Sequence, residues 1–197
     1  MDPSATGLNK LPARSSHRFH PDAAGAKENN NSPWEVDLCG DWDFLTACGP
    51  AEAEALIAKT DLEWQSIRVP GHPELQGFGV PHYTNITMPF PDEPPSVPRI
   101  NPTGLYRKKI QVPSDWNGLR IVLHFGSAES FLAVWVEGQP VGMGKGSRLP
   151  SEFDITPLAA PGKTIEIRVL VAKWSDACFC TRLFIDCCSG KAACCWI

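Results

Sequence analysis

The stretch Ile165-Glu166-Ile167-Arg168-Val169-Leu170-Val171-Ala172 decides the fold class. Ile165, Ile167, Val169 and Val171 occupy every second position. Successive side chains of an extended strand point to opposite faces, so this spacing puts four branched residues on one face. The same period recurs in Leu119, Ile121, Leu123 and Phe125, separated by Arg120, Val122 and His124. It appears more briefly in Phe153 and Ile155, and Tyr106, Ile110 and Val112 share one face of another candidate strand. Ser130 to Val136 is apolar at both parities, which predicts a strand covered on each side. Glu137-Gly138 reads as a two-residue hairpin turn into Gln139-Pro140-Val141. Trp42-Asp43-Phe44-Leu45 and the run from Trp64 to Val69, stopped by Pro70, complete the set. Only Ala51 to Lys59, rich in alanine and glutamate, suits a short helix. The 19 Pro and 16 Gly fall between the apolar runs. The pattern predicts an all-β fold, an antiparallel sandwich or jelly roll.

The 197 residues suffice for one sandwich-sized domain with tails. They are too few for a sandwich plus a (β/α)8 barrel, which alone takes about 250 residues. A net charge of −4 offers no basic footprint, so no nucleic-acid partner is expected. The start, Met1-Asp2-Pro3-Ser4-Ala5-Thr6-Gly7, has neither a basic nor an apolar leader region, and no run of 18 apolar residues occurs. No signal peptide or membrane span is therefore expected, and the location expected is cytoplasmic. The sequons at Asn30-Asn31-Ser32 and Asn85-Ile86-Thr87 are then expected to go unused.

Composition divides the chain into three parts. Residues 1–32 are polar and turn-rich, closing on Asn29-Asn30-Asn31-Ser32, and are expected to form an extended or poorly ordered arm. His17 and His20 have the spacing of a helical metal pair, but no carboxylate or thiol framework accompanies them. Residues 33–176 hold the strand pattern. Cys39 and Cys48 are the only cysteines of the first 177 residues, whereas Cys178, Cys180, Cys187, Cys188, Cys194 and Cys195 crowd the last 20. Zinc sites favour C-x2–4-C spacing, which C-x-C and adjacent cysteines fit poorly. Residues 177–197 are therefore expected to be a tail without selected structure or metal.

Between the strands lies Gly77-Phe78-Gly79-Val80-Pro81-His82-Tyr83-Thr84-Asn85-Ile86-Thr87-Met88-Pro89, followed by a proline-rich run to Pro102. Each proline removes a backbone donor and fixes φ, so this is loop. Tyr83, Thr84 and Asn85 bring an aromatic ring, two hydroxyls and an amide together, groups that suit a sugar. A connecting turn with a buried tyrosine would use the same residues.

Six pieces of sequence occur in a fixed order: Leu38-Cys39-Gly40-Asp41-Trp42, Val69-Pro70-Gly71-His72, Tyr83-Thr84-Asn85-Ile86-Thr87, Asn101-Pro102-Thr103-Gly104-Leu105-Tyr106, Ser147-Arg148-Leu149-Pro150-Ser151-Glu152-Phe153-Asp154 and Trp174-Ser175-Asp176. Together, from about Leu8 to Asp176, they resemble the N-terminal sugar-binding domain of glycoside hydrolase family 2, the large bacterial-type β-galactosidases. The resemblance implies a jelly-roll sandwich. It also implies that Asn85 reaches an active site and hydrogen-bonds galactose, its amide both donating and accepting. In the full-length enzyme the activity implied is retaining hydrolysis of terminal β-galactosides. That reaction takes two carboxyl groups about 5–5.5 Å apart, which the family carries on a separate barrel. Sodium and magnesium are implied only for the full-length enzyme. The 197 residues are thus expected to lack the barrel, to turn over no glycoside alone, and to bind free galactose negligibly. Glu129, Glu137 and Glu152 are not set as an acid and nucleophile by any motif. Arg148, Glu152 and Asp154 read as an ion-paired loop, and the Asn101-Pro102-Thr103-Gly104 turn as chain reversal. Two departures stand out. The family's aromatic-acidic stretch after Trp174-Ser175-Asp176, with an aspartate for galactose and sodium, is absent, and Pro73 replaces a common tryptophan. The residues also leave open a free-standing carbohydrate-binding module built on Tyr83 and Asn85, or a non-catalytic interaction protein with an uncovered apolar face.

Overall fold

A computed structural model describes residues 2, 4–15, 18–28, 32–82 and 89–180. Its strands are β1 (Gly7–Leu8), β2 (Gly40–Ala47), β3 (Gln65–Val69), β4 (Thr103–Gln111), β5 (Val122–Phe125), β6 (Phe131–Val136), β7 (Gln139–Lys145), β8 (Ser151–Asp154) and β9 (Thr164–Ala172). Three short helices accompany them: α1 (Ala23–Glu28), α2 (Pro50–Leu56) and α3 (Ala177–Cys180). Seven strands form one sheet in the order β1-β7-β6-β9-β4-β2-β3, and β5 and β8 form a second. Every pairing is antiparallel. The all-β sandwich expected from the alternation is the fold found.

The alternating stretch is the centre of the large sheet. β9 pairs along its whole length with β4, from Thr103 opposite Ala172 to Gln111 opposite Thr164. On its other side it pairs with β6. Ile165, Ile167, Val169 and Val171 enter the main core with Trp42, Phe44, Tyr106, Leu132, Val134 and Phe153. The opposite face is also covered. Leu170 and Ala172 pack with Ala47, Ala53 and Ala133, beneath α2. This explains the two-sided apolar character of Ser130–Val136: Leu132, Val134 and Val136 fill the main core, and Ala133 fills the smaller cluster.

Arg168 is the one buried charge of that strand, and it is used. Its Nη1 donates to the Ile57 carbonyl at 2.5 Å and the Lys59 carbonyl at 2.8 Å, just past α2. Its Nε donates to Glu166 at 2.7 Å. Carbonyls at a helix C-terminus lack intrahelical partners, and a guanidinium supplies several donors at once.

The predicted hairpin turn is present, with Glu137 and Gly138 at φ 50° and 73°, as a type I′ turn requires. Other details differ from the expectation. The alternation at Leu119 predicts a strand from 119, but β5 starts at Val122. The chain turns at Gly118 (φ 79°), and the Leu119 amide bonds the Trp116 carbonyl. Leu119 is left 41% exposed, whereas Ile121 and Leu123 point inward. Arg148, Glu152 and Asp154 do not form a loop-internal ion cluster. Glu152 and Asp154 lie in β8 and pair outward with other elements. Glu152 accepts both Arg14 Nε (2.9 Å) and Arg14 Nη2 (2.7 Å) and contacts His124, while Asp154 accepts from Arg120 at 2.6 Å.

Within the first 32 residues, Gly7 and Leu8 extend the large sheet by pairing with Gly144 and Met143. Lys10 bridges Phe153 across to β8, and the Leu11 amide bonds the Glu152 carbonyl. The arm runs so close to β7 that a Cβ on Gly142 would lie 2.5 Å from the Leu8 carbonyl oxygen. The helix α1 was not foreseen in the sequence.

The second sheet is much smaller than the first, so it covers only part of the core face. Phe125 and Phe153 pack edge-on beneath it, centroids 6.2 Å apart. Toward the Thr103 end of β4 the cover comes from the loop after β3: Phe78 lies against Phe44 at 4.7 Å. Among the described residues, no helix is long and apolar enough to cross a membrane.

Candidate functional site

Where the loop replaces the second sheet, a groove opens at the joined ends of β2, β4 and β9. Its cavity volume is about 380 Å³. Phe44, Gly104, Tyr106 and Val171 form the floor; His72, Glu74, Leu75, His82, Lys173 and Trp174 stand around the mouth. Gly104 is required by the floor itself. A Cβ there would meet the Phe44 ring at 2.7 Å and the Tyr106 ring at 2.8 Å. Tyr106 is buried, and burial pushes its phenol well above the ordinary range, with the Glu74 charge adding to the effect.

Trp174 is the organiser. Its backbone is clamped by the buried Asn101 side chain: Asn101 Nδ2 donates to the Trp174 carbonyl at 2.7 Å, and the Trp174 amide donates to Asn101 Oδ1 at 2.9 Å. Asn101 is itself fixed through its amide to the Cys48 carbonyl, and its carbonyl accepts from Thr103 Oγ1. The indole then receives two rings from the loop. His82 meets it edge-on at 5.7 Å and Phe90 at 5.3 Å. These two residues flank the segment 83–88, so both of its stems rest on one indole.

Lys173 ties the loop down beside that indole. Its Nζ pairs with Glu74 and donates to the Val80 carbonyl at 3.0 Å, and it lies 5.7 Å from the Trp174 ring centroid. Burial raises the Glu74 carboxyl. The hydrogen bond and charge of Lys173, with help from a backbone donor, outweigh it and leave Glu74 below its ordinary value. A depressed folded value means the pair contributes fully above the unfolded carboxyl value of 4.5 and is lost as pH falls through the folded one. Lowering the pH from 6.5 to 3.5 is therefore expected to cost wild type more stability in urea unfolding than it costs Glu74→Gln. Equal losses would show that the tether is inert.

The sequence reading put Asn85 at the sugar, with Tyr83 and Thr84 beside it. All three lie outside the described residues, as does His17. The groove residues Lys173 and Glu74 and the clamp at Asn101 were not recognised from sequence; Asn101 was read as chain reversal. No local signal reveals them, because the clamp joins residues 73 apart and the tether residues 99 apart. Pro73, where the resemblance expects tryptophan, opens a short 3-10 turn, Pro73–Gln76, on the groove wall. Asp176, of the Trp174-Ser175-Asp176 motif, is paired in the interior with Lys145 at 2.9 Å.

Three glutamates considered as catalytic lie apart in use. Glu129 lines the groove, Glu137 sits in the β6–β7 turn and accepts the Glu166 amide, and Glu152 is bound to Arg14. Among the described residues no three His, Cys, Asp or Glu side chains are grouped to hold a metal.

Comparison with known proteins places this geometry. Residues 36–185 match the family described as glycosyl hydrolases family 2, sugar binding domain. The chain is 37% identical over 172 residues to a β-galactosidase of Arthrobacter sp. (strain B7), covering 77% of this chain and 17% of that protein. It is 36% identical over 185 residues to a β-galactosidase of Alteromonas mediterranea, covering 91% and 18%. The chain thus spans about a sixth of the length of these curated relatives. Among solved structures, a β-glucuronidase of an uncultured Clostridium sp. superposes with a TM-score of 0.50 at 26% identity, over 69% of this chain and 21% of that one. A β-glucuronidase of Ruminococcus gnavus in complex with D-glucuronic acid shares the fold, with a TM-score of 0.52 at 21% identity, over 70% and 21%.

Proposed function

Because this chain belongs to glycosyl hydrolase family 2 through its sugar binding domain, we propose that it forms one wall of a glycosidase's sugar pocket and lends that pocket the Asn85 amide. The observation that carries this reading is the seating of both stems of segment 83–88 on Trp174. His82 and Phe90 on one clamped indole fix where the chain enters and leaves residues 83–88, and positioning to within a fraction of an ångström is what a sugar contact needs. Asn85 would accept from one galactose hydroxyl and donate to its neighbour.

The reaction served is retaining hydrolysis of a terminal β-galactoside. Galactose is preferred as substrate because the relatives nearest in sequence identity quoted above carry that activity in their names. The acid and nucleophile would stand on a further domain about 5–5.5 Å apart, flanking the glycosidic bond. The 197 residues alone should turn over no nitrophenyl galactoside. Grafting this domain in place of the matching residues of the Arthrobacter enzyme gives the test. Asn85→Ala should then lower kcat/KM for nitrophenyl β-D-galactoside by roughly 10–100-fold, the equivalent of losing a hydrogen bond worth about 1–3 kcal/mol. An unchanged kcat/KM, or turnover by the isolated chain, would reject the assignment.

A further inference from the structure

The start of the chain is a strap that touches both sheets. Gly7 and Leu8 pair with β7 of the large sheet. At Asn9 the backbone turns through the left-handed region, φ 54°, and Asn9 Nδ2 donates to the Val141 carbonyl at 3.0 Å. Asparagine takes this conformation more readily than most residues with a side chain. Lys10 then bridges Phe153 of β8, and the Leu11 amide donates to the Glu152 carbonyl at 2.8 Å. Residues 7–11 thus leave one sheet and join the other.

Three residues further on, the strap meets a charge cluster. Glu152 Oε2 accepts Arg14 Nε at 2.9 Å, and Oε1 accepts Arg14 Nη2 at 2.7 Å. The same Oε1 lies 2.9 Å from His124 Nδ1, which donates because an ionised carboxylate can only accept. His124 stands opposite Glu152 in the β5–β8 pair, so the sheet and not the strap holds it there. The Glu152 side chain is 8% exposed, those of Arg14 and His124 42 and 46%. A guanidinium from the strap and an imidazole from the sheet therefore share one nearly buried oxygen. A neutral imidazole shares it without conflict. A protonated one sets two cations against the same atom. Imidazole is the side chain whose charge changes between pH 5 and 8.

We propose that Arg14, Glu152 and His124 form a pH-sensitive latch on this strap: protonation of His124 weakens the hold of Glu152 on Arg14 and frees the end of the strap from β8. The other charges on this side stay as they are over the same range. Burial raises the Glu152 carboxyl, but the hydrogen bonds and charges of His124 and Arg14 outweigh it and leave it below its ordinary value. Beside β5, Arg120 pairs with Asp154 of β8, whose carboxyl is held down to about 2 by Thr156 and then Arg120. Cys39 lines a small cavity with His124, and its thiol and amide hold Asp37 below the ordinary carboxyl value. Lys10 on the strap is a cation throughout. His124 is thus the group of the cluster that changes charge between pH 7.5 and 5.5. Two unit charges about 5 Å apart in a water-like medium shift an equilibrium roughly threefold to fivefold.

Amide exchange of the 197-residue chain, followed by NMR, gives the test. Each rate is compared with that of unstructured peptide at the same pH, because intrinsic exchange itself varies with pH. The Leu11 amide bonds Glu152, so its protection reports whether the strap is docked. That protection should fall roughly threefold to fivefold from pH 7.5 to 5.5, while Val169 at the centre of β9 keeps its own. His124→Gln retains a neutral donor and should hold Leu11 at its pH 7.5 level at both values. Arg14→Gln should lower Leu11 protection at pH 7.5 and leave no further pH dependence. Equal wild-type protection of Leu11 at the two pH values, or none at either, would overturn the latch. So would the same fall in His124→Gln, full protection in Arg14→Gln, or an equal loss at Val169, which would mean that the whole sheet loosens.

Discussion

Replacing Asn101 by Leu should destabilise the fold by about 3–4 kcal/mol, since two buried backbone groups lose their partners and each such loss costs about 1–3 kcal/mol. The two side chains are close in volume, so little of the effect should come from a cavity. What changes is the hydrogen bonding. The Trp174 carbonyl loses its donor at 2.7 Å, and the Trp174 amide loses its acceptor at 2.9 Å. Asn101 is 2% exposed, so bulk water does not reach the groups it leaves behind. The backbone bonds of residue 101 to Cys48 and Thr103 should survive. Asn101→Asp keeps the acceptor but sets an unpaired buried carboxylate against the Trp174 carbonyl, so at pH 7 it should cost at least as much as Asn101→Leu. Urea unfolding with an unchanged m-value is the measurement. A loss under 1 kcal/mol for Asn101→Leu would show that Trp174 is held by its packing alone. Because His82 and Phe90 both rest on that indole, the same change should speed amide exchange at residues 82 and 90 more than at the centre of β9.

The contrast between β9 and this clamp shows what the sequence made legible. β9 could be read because a strand's environment repeats every two residues, and its four branched side chains share one continuous core. The β6–β7 turn could be read because positive φ at two successive residues is a local demand that Glu137-Gly138 can meet. The start of β5 was misread because Leu119 obeys the alternation, yet the turn at Gly118 removes it from the sheet. The small second sheet was also invisible. Its deficit is made up by Phe78 from a loop, and no periodicity reports what covers a face. At the candidate site motif order points to Asn85, which lies outside the described residues, while the support could not be read at all. Asn101, Lys173 and Glu74 act on partners distant in sequence, so their roles depend on the folded chain.

The second large effect belongs to Lys145, and it turns on electrostatics rather than shape. Its side chain is 4% exposed and that of Asp176 9%, with Nζ 2.9 Å from Oδ1 and 3.0 Å from Oδ2. Nζ also donates to the Asp2 carbonyl at 2.9 Å, so one ammonium joins the arm, β7 and the approach to α3. Lys145→Met keeps much of the aliphatic stem but strands the Asp176 carboxylate, and breaking a buried pair from one side costs about 3–5 kcal/mol. Lys145→Met/Asp176→Leu removes both charges and should recover most of that loss, since an apolar pair needs no compensation for burial. The double variant separates this account from simple loss of packing. Urea unfolding of both variants is the measurement: a double variant no more stable than Lys145→Met would mean that the loss comes from packing around the Lys145 stem and not from the stranded charge. Asp176 follows Trp174 by two residues, so the stranded charge would lie next in the chain to the indole on which His82 and Phe90 rest.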